Sequence, residues 1–322
     1  MIPTTPDAPP FGRAQCAMVT PFTASGEQLD LDRAQELAAH LVAEGCDGLV
    51  LNGTTGESPT TSDAEKAALV RAVRDAVGTR TALVAGVGTA DTRHTVELAR
   101  QAEAAGADGL LVVPPYYSRP PQAAIEAHVR RVADATGLPL ALYDIPGRTG
   151  VRIEPETVLR LADHPRIVAV KDCAYDLLGS AKVMARTSLA YYSGCEELNL
   201  PLYAIGGAGF ISTVANVAPG PTRAVLDAFD AGDTALAARL HQRLLPLTER
   251  MMASGLPGAV TAKALLSAGP VREPLQPADR RAVDGLRAAY EELLRQPAQE
   301  PVTRLLPRIE TCSSTSSIGS SI

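Results

Sequence analysis

Short apolar runs alternate with amphipathic stretches along most of this 322-residue chain. Eight such runs are rich in Val, Leu, Ile and Ala, and they cover residues 14–20, 48–51, 82–87, 110–113, 139–143, 167–171, 189–193 and 210–214. Segments that are short and apolar throughout are typical of strands buried on both faces of a parallel sheet. The stretches between them have helical periodicity, so the pattern predicts eight strand–helix units.

The helical stretch at residues 64–77 illustrates the pattern. Leu69, Val70 and Val73 fall on one face, and Ser62 followed by Glu65 predicts a capping box at the start. Eight evenly spaced units predict an α/β fold, a (β/α)8 TIM barrel with a C-terminal helical extension. A doubly wound open sheet is the alternative, and the even spacing counts against it. We expect the barrel at residues 14–231, the extension at 232–296 and a disordered tail at 297–322.

Composition and charge exclude several classes of function. The net charge is −6, aromatic residues make up 4% of the chain and Trp is absent, so we expect no nucleic acid partner. The chain has neither an apolar run of about 18 residues nor a basic segment followed by an apolar one, so we expect no membrane span and a cytoplasmic location. The five cysteines include no C-x-x-C pair and the five histidines are scattered, so we expect reduced thiols and no metal.

A lysine closes the sixth apolar run. Lys171 follows Ile167-Val168-Ala169-Val170 and would lie at the C-terminal end of a buried strand. Burial disfavours the charged ammonium and lowers its pKa, so the neutral amine becomes a nucleophile toward carbonyl groups. The alternative is a lysine that extends to solvent or pairs with Asp172. Cys173, two residues further on, is expected to be a small apolar filler.

Other reactive side chains follow other predicted strands, and such groups gather at the C-terminal ends of the strands in a barrel. The second run is followed by Gly-Thr-Thr-Gly-Glu-Ser at residues 53–58, whose hydroxyl and N–H groups suit a small anion such as a carboxylate. Tyr116 and Tyr117 follow the fourth run, Tyr143 ends the fifth, and Arg148 comes five residues later. Each tyrosine taken alone is more consistent with a rim residue whose hydroxyl faces water. Together with the amine, the set suits Schiff-base chemistry on a carboxylated carbonyl compound.

Five segments of the chain resemble those of a known family, at residues 53–58, 116–120, 143–150, 170–172 and 206–212. Their order and spacing, from about residue 14 to 295, are similar to the dihydrodipicolinate synthase/N-acetylneuraminate lyase family of class I aldolases. The Thr54-Thr55 pair and Arg148 resemble the synthases of this family, particularly those of actinobacteria, more than the sialate lyases. The resemblance implies a TIM barrel that works without a cofactor, as a homodimer or a dimer of dimers.

The resemblance also implies roles for particular residues. Four are expected to be catalytic: Lys171 forms an imine with pyruvate, Tyr143 moves protons, and Thr54 links Tyr143 to Tyr117 of a neighbouring subunit. Four are expected to bind substrate. Thr55 holds the carboxylate of pyruvate and Arg148 holds the carboxylate of aspartate semialdehyde, while the backbones of Gly194 and Ile211 line the pocket.

The implied reaction is the condensation of pyruvate with L-aspartate 4-semialdehyde to 4-hydroxy-tetrahydrodipicolinate, in lysine and diaminopimelate biosynthesis. Some positions depart from the family pattern: Cys195-Glu196 replaces two aspartates, Pro114 replaces a threonine and Cys173 replaces an alanine. An aldolase for another aldehyde, of the 2-keto-3-deoxy sugar acid or hydroxy-oxoglutarate type, is therefore an alternative, and a catalytically silent barrel is a remote one. The regulatory lysine pocket of enterobacterial relatives keeps only its tyrosine among Pro59, Asp63, Lys66, Ala90, His94 and Tyr116.

Overall fold

The strands form a closed parallel barrel in the order of the sequence. The structure, a computed structural model, describes residues 9–266 and 268–295. The strands are β1 (Ala14–Ala17), β2 (Gly48–Leu51), β3 (Ala82–Gly86), β4 (Gly109–Val112), β5 (Leu140–Asp144), β6 (Ile167–Asp172), β7 (Ala190–Ser193) and β8 (Gly209–Ser212). Because β1 pairs with β8, the sheet has no open edge, which confirms the predicted barrel and excludes the open sheet.

Helices surround the barrel, and at least one follows each strand. They are α1 (Leu31–Ala43), α2 (Asp63–Val77), α3 (Thr92–Ala104), α4 (Gln122–Ala133), α5 (Pro146–Thr149), α6 (Pro155–Leu161), α7 (Leu177–Met184), α8 (Asn199–Ala204) and α9 (Pro219–Asp230). Helices α10 (Thr234–Met252), α11 (Gly258–Leu265) and α12 (Arg280–Arg295) follow the last barrel helix. The division at residues 231 and 232 stays a prediction, and the expected tail at 297–322 lies outside the described residues.

Local sequence signals explain where helix α2 begins and how it packs. The Ser62 hydroxyl accepts the Glu65 N–H at 3.2 Å, and the Glu65 carboxylate accepts the Ser62 N–H at 2.8 Å. This confirms the predicted capping box, which satisfies two N–H groups that the first turn leaves free. Leu69, Val70 and Val73 are buried against the barrel, as their spacing predicts.

The two-residue period of the strands sets the position of the reactive groups. Ala141 of β5 and Ala169 of β6 are neighbours in register and belong to the cluster inside the barrel. Two residues further along each strand, Tyr143 and Lys171 are again neighbours and lie on the same inner face. Because Ala141 and Ala169 are small, there is space at the C-terminal end of the barrel for the Tyr143 phenol and the Lys171 amine.

Part of the C-terminal extension reaches the top of the barrel. The start of α11 lines the same cavity as Lys171. A Cβ added to Gly258 would lie 2.9 Å from the Thr213 side chain, so α11 approaches the end of β8 closely. The sequence gives no period or motif that reports such a long-range contact.

Among the helices of the described residues, none is long and apolar enough to cross a membrane.

Candidate active site

A cavity of about 200 Å³ opens at the C-terminal ends of the strands. Its lining includes six of the predicted site residues, namely Thr54, Thr55, Tyr143, Arg148, Lys171 and Gly194. The other lining residues come from neighbouring loops and from the C-terminal extension: Glu57, Pro59, Thr60, Ile145, Cys173, Thr213, Met252, Pro257, Gly258, Ala259, Pro274 and Leu275. Tyr117 and Ile211 do not contribute to the lining.

Lys171 is buried at the inner end of this cavity, and 6% of its surface is exposed. Within the described ranges, no carboxylate oxygen lies within 4.0 Å of its Nζ atom, and burial lowers its pKa. Asp172 accepts the Ser180 hydroxyl and, at 2.8 Å, the Ala174 N–H. The alternative of a lysine paired with Asp172 is therefore wrong, and the amine is left facing the cavity.

Gly194 allows the lysine side chain to pass close to the backbone. A Cβ at this position would lie 2.8 Å from Lys171 Cε and would overlap the Cys173 Sγ atom. Contacts this short are not tolerated without movement, so any larger residue would displace the lysine. The prediction that Gly194 belongs to the site has this steric basis.

Tyr143 lies directly beside the amine. Lys171 Nζ is 4.5 Å from the centre of the Tyr143 ring. Burial raises the pKa of the phenol, which the Thr54 hydroxyl and the Arg148 charge oppose only in part. The phenol is thus protonated at neutral pH, where it can donate a proton to a reacting group and take it back.

The loop after β2 carries Thr54 and Thr55 and is held in place by contacts with the C-terminal extension. The Thr55 and Thr213 hydroxyl oxygens are 3.0 Å apart. Glu57 has a left-handed backbone conformation (φ 55°), which is rare for a residue with a side chain. Its carboxylate lies 2.6 Å from Lys263 Nζ of α11 and accepts the Arg272 N–H at 2.8 Å. These two contacts hold the strained loop and occupy Lys263.

Arg148 stands at the mouth of the cavity on helix α5. Pro146 lies at the start of this single turn, and Gly150 (φ 73°) ends it. The Asp144 carboxylate accepts the Ile153 N–H at 2.9 Å and so fixes the chain that leaves the turn. The Arg148 side chain is exposed, which leaves its guanidinium accessible to an anion in the cavity.

Tyr117 and Ile211 lie apart from the cavity. Tyr117 is 95% exposed, and its φ of 73° with a Ser118 N–H to Tyr116 carbonyl bond of 2.9 Å defines a strained γ-turn. Its phenol therefore does not fold over its own barrel. Ile211 is buried in β8 opposite Gln15 of β1. The role predicted for each residue stays a prediction.

Glu196, which replaces an aspartate of the family pattern, has a structural role. The Glu196 carboxylate accepts the Thr213 N–H at 2.6 Å, the Val214 N–H at 3.1 Å and the Ser212 hydroxyl at 2.7 Å. It thereby organises the turn after β8 that carries Thr213. Glu196 does not line the cavity, so this replacement is no reason to change the expected second substrate. The sequence analysis did not identify Thr213 as a residue of the cavity. The available signal was its position one residue after the end of β8.

Comparison with known proteins decides the family. The sequence model of the dihydrodipicolinate synthetase family matches residues 10–293. The chain belongs to this family. A Streptomyces coelicolor member named 4-hydroxy-tetrahydrodipicolinate synthase 1 is 74% identical over 295 residues, which are 90% of this chain and 96% of the relative.

Solved structures agree with this assignment to the dihydrodipicolinate synthetase family. The Cyanidioschyzon merolae enzyme with lysine bound superposes with a TM-score of 0.85 at 38% identity, covering 88% of this chain and 99% of that one. The chloride-inhibited Acinetobacter baumannii synthase in complex with pyruvate gives a TM-score of 0.82 at 31% identity, covering 88% and 99%. The family resemblance stated from the sequence motifs is thus confirmed.

Proposed function

We propose that this family member is a lyase of the class I aldolase type, a 4-hydroxy-tetrahydrodipicolinate synthase. It condenses pyruvate with L-aspartate 4-semialdehyde in lysine and diaminopimelate biosynthesis. The observation that carries the proposal is the buried Lys171 amine, which lines the cavity 4.5 Å from the centre of the Tyr143 ring and forms no ion pair with a carboxylate of the described residues. The name of the 74% identical relative supports the choice of reaction.

The first half of the reaction activates pyruvate. The neutral Lys171 Nζ attacks the keto carbon, the Tyr143 phenol protonates the departing hydroxyl, and water leaves as the imine forms. The Thr55 hydroxyl, positioned by Thr213, binds the pyruvate carboxylate. Loss of a proton from the pyruvate methyl group then gives the enamine, with the imine nitrogen as the electron sink, so the scheme needs no cofactor.

The second half forms the new carbon–carbon bond. The enamine carbon attacks the aldehyde carbon of the semialdehyde, and the aldehyde oxygen takes up a proton. The amino group of the semialdehyde next attacks the imine carbon, closes the ring and releases Lys171. Arg148, at the mouth of the cavity, binds the carboxylate of the semialdehyde through its two parallel N–H donors. The net reaction releases one water, which left during imine formation.

Tyr117 supports a proposal about assembly. Its phenol is exposed on its own subunit, and its strained turn holds it away from its own cavity. We propose that it enters the cavity of a second copy and completes a proton path through Thr54 to Tyr143. The active form is then at least a homodimer. We also place the enzyme in the cytoplasm, in keeping with the described cysteines, Cys16, Cys46, Cys173 and Cys195, which are all free thiols.

The proposal is tested by measuring product formation from pyruvate with aspartate semialdehyde, beside a panel of other aldehydes. We expect the semialdehyde to be the preferred partner, because Arg148 supplies a binding group for its carboxylate. Turnover of a sugar-acid aldehyde with no reaction of the semialdehyde would contradict the proposed reaction and support the aldolase alternative. Absence of any pyruvate-dependent reaction would support the silent barrel.

A further inference from the structure

Two cysteines lie side by side next to the reactive lysine. Strands β6 and β7 pair in register through Asp172 and Ser193, and the Gly194 N–H donates to the Asp172 carbonyl at 2.8 Å. Cys173 is therefore the neighbour of Gly194, and Cys195 follows at the next position. Both side chains are buried in the same cluster inside the barrel.

The spacing of these residues suits a disulfide. Adjacent parallel strands lie about 4.8 Å apart and residues rise about 3.3 Å along a strand, so this diagonal pair has Cα atoms roughly 6 Å apart. Bridged cysteines have Cα atoms about 4.4–6.8 Å apart. Gly194 has no side chain to separate the two sulfurs, and the Cys173 Sγ atom lies over its Cα. The thiols also differ in access: Cys173 lines the cavity, whereas Cys195 lies behind it, close to the exposed Tyr175.

The thiols differ in reactivity as well. A hydrogen bond from Cys195 and the charge of Lys171 lower the pKa of Cys173, although burial opposes them. The bond to Cys173, together with burial, raises the pKa of Cys195. A cavity-lining thiol with a lowered pKa, beside a second thiol with a raised pKa, is the arrangement of an attacking and a resolving cysteine. Cys46 differs, because burial raises its pKa to about 12.

We propose that Cys173 and Cys195 form a dithiol that peroxide oxidises to a disulfide, and that the disulfide stops Lys171 from forming its imine. The Cys173 sulfur attacks one peroxide oxygen, which gives a sulfenic acid and one water. The Cys195 thiol then attacks that sulfur, forms the S–S bond and releases a second water. Two thiols thus lose two hydrogens, and one hydrogen peroxide is reduced to two waters.

A disulfide would affect Lys171 because the lysine and Cys173 pack side by side against Gly194. Cys173 Sγ and Lys171 Cε both lie close to the Gly194 Cα, and Cys173 belongs to the same buried cluster as Tyr143. Drawing the sulfur toward Cys195 removes it from this position. Lys171 then loses the packing that fixes its side chain beside Gly194, and a displacement of about 1 Å in a reacting amine can cost about 10²-fold in rate. The link to imine formation rests on the proposed function, whereas the disulfide itself does not.

The experiment treats the full chain with hydrogen peroxide and reads two quantities. Non-reducing tryptic digestion should give a linked pair of peptides, residues 172–182 joined to 187–223, two hydrogens lighter than their sum. The rate of pyruvate trapping by borohydride should fall about 10²-fold relative to the untreated sample, and dithiothreitol should restore it. If the untreated enzyme traps no pyruvate, the proposed function is wrong. The linked peptides still show whether Cys173 and Cys195 form a disulfide.

Two variants separate a disulfide from simple oxidation of one cysteine. In Cys195→Ala the sulfenic acid has no partner and oxidises further, so dithiothreitol should no longer restore the trapping rate. Cys46→Ala, the matched control, should behave as the parent does. Inactivation without the linked peptides, or inactivation of Cys195→Ala that dithiothreitol fully reverses, would overturn the proposal.

Discussion

Replacing Gly194 with alanine adds one methyl group beside the reactive amine and removes no chemical group. The new Cβ would lie 2.8 Å from Lys171 Cε. Carbon atoms pack favourably at about 3.5–4.0 Å, so the lysine must retreat by about 1 Å. A misplacement of that size is expected to lower kcat/KM by about 10²-fold. Overpacking a buried site should also cost about 1–3 kcal/mol in the free energy of unfolding.

The assay compares Gly194→Ala with Gly147→Ala. A Cβ added at Gly147 meets no atom within 4 Å, so this variant carries the same chemical change on helix α5 without a clash. For each protein, kcat/KM for pyruvate, the rate of borohydride trapping and the free energy of unfolding are measured. Only the alanine at 194 should slow trapping. If it traps pyruvate at the parental rate while folded, the close packing of Lys171 against Gly194 has no functional role.

Three further outcomes are expected. Burial raises the pKa of Asp144 to about 7, so its ionisation destabilises the fold increasingly as pH rises from the unfolded value near 3.9 to about 7. Above pH 7, the free energy of unfolding of Asp144→Asn should therefore exceed that of the parent by at most about 4 kcal/mol, whereas below about pH 4 the two should be equal. Urea unfolding at several pH values checks this, and a difference that does not change with pH would contradict it. Free lysine should inhibit weakly or not at all, because the Lys66 ammonium already binds the Ser58 carbonyl and the Thr61 hydroxyl, each at 2.9 Å; sub-millimolar inhibition in a titration would disagree. Mixing Tyr117→Phe with Lys171→Ala subunits should restore activity in mixed dimers, and no restoration despite proven subunit exchange would exclude a shared site.

Periodicity in the sequence was sufficient to predict the barrel. Buried parallel strands need apolar side chains on both faces, so they stand out as short apolar runs, and the ladder then fixes Tyr143 beside Lys171. Strand ends were less well predicted: the first run extends to residue 20, but β1 ends at Ala17. Beyond it, the Val19 N–H donates to the Asn216 side chain at 2.9 Å instead of to a neighbouring strand.

Contacts between distant segments were not predictable from the sequence. Nothing local to Glu57 indicates that its carboxylate meets Lys263, more than 200 residues away, and that this contact fixes the loop carrying Thr54 and Thr55. Cys173 was expected to be a small apolar filler because of its burial, and its position beside Cys195 depends on the register of β6 and β7. Side-chain chemistry at strand ends can be predicted from one sequence, whereas partners supplied by the fold cannot.

The central claim is that Lys171 forms an imine with pyruvate. The chain has four lysines, Lys66, Lys171, Lys182 and Lys263, so the modified residue can be identified without ambiguity. Borohydride reduction in the presence of pyruvate should fix the adduct on Lys171 and block tryptic cleavage there, which gives one modified peptide of residues 167–182. The Lys171→Ala variant should trap nothing. An adduct on Lys263 or another lysine, or no adduct in an active preparation, would contradict the account.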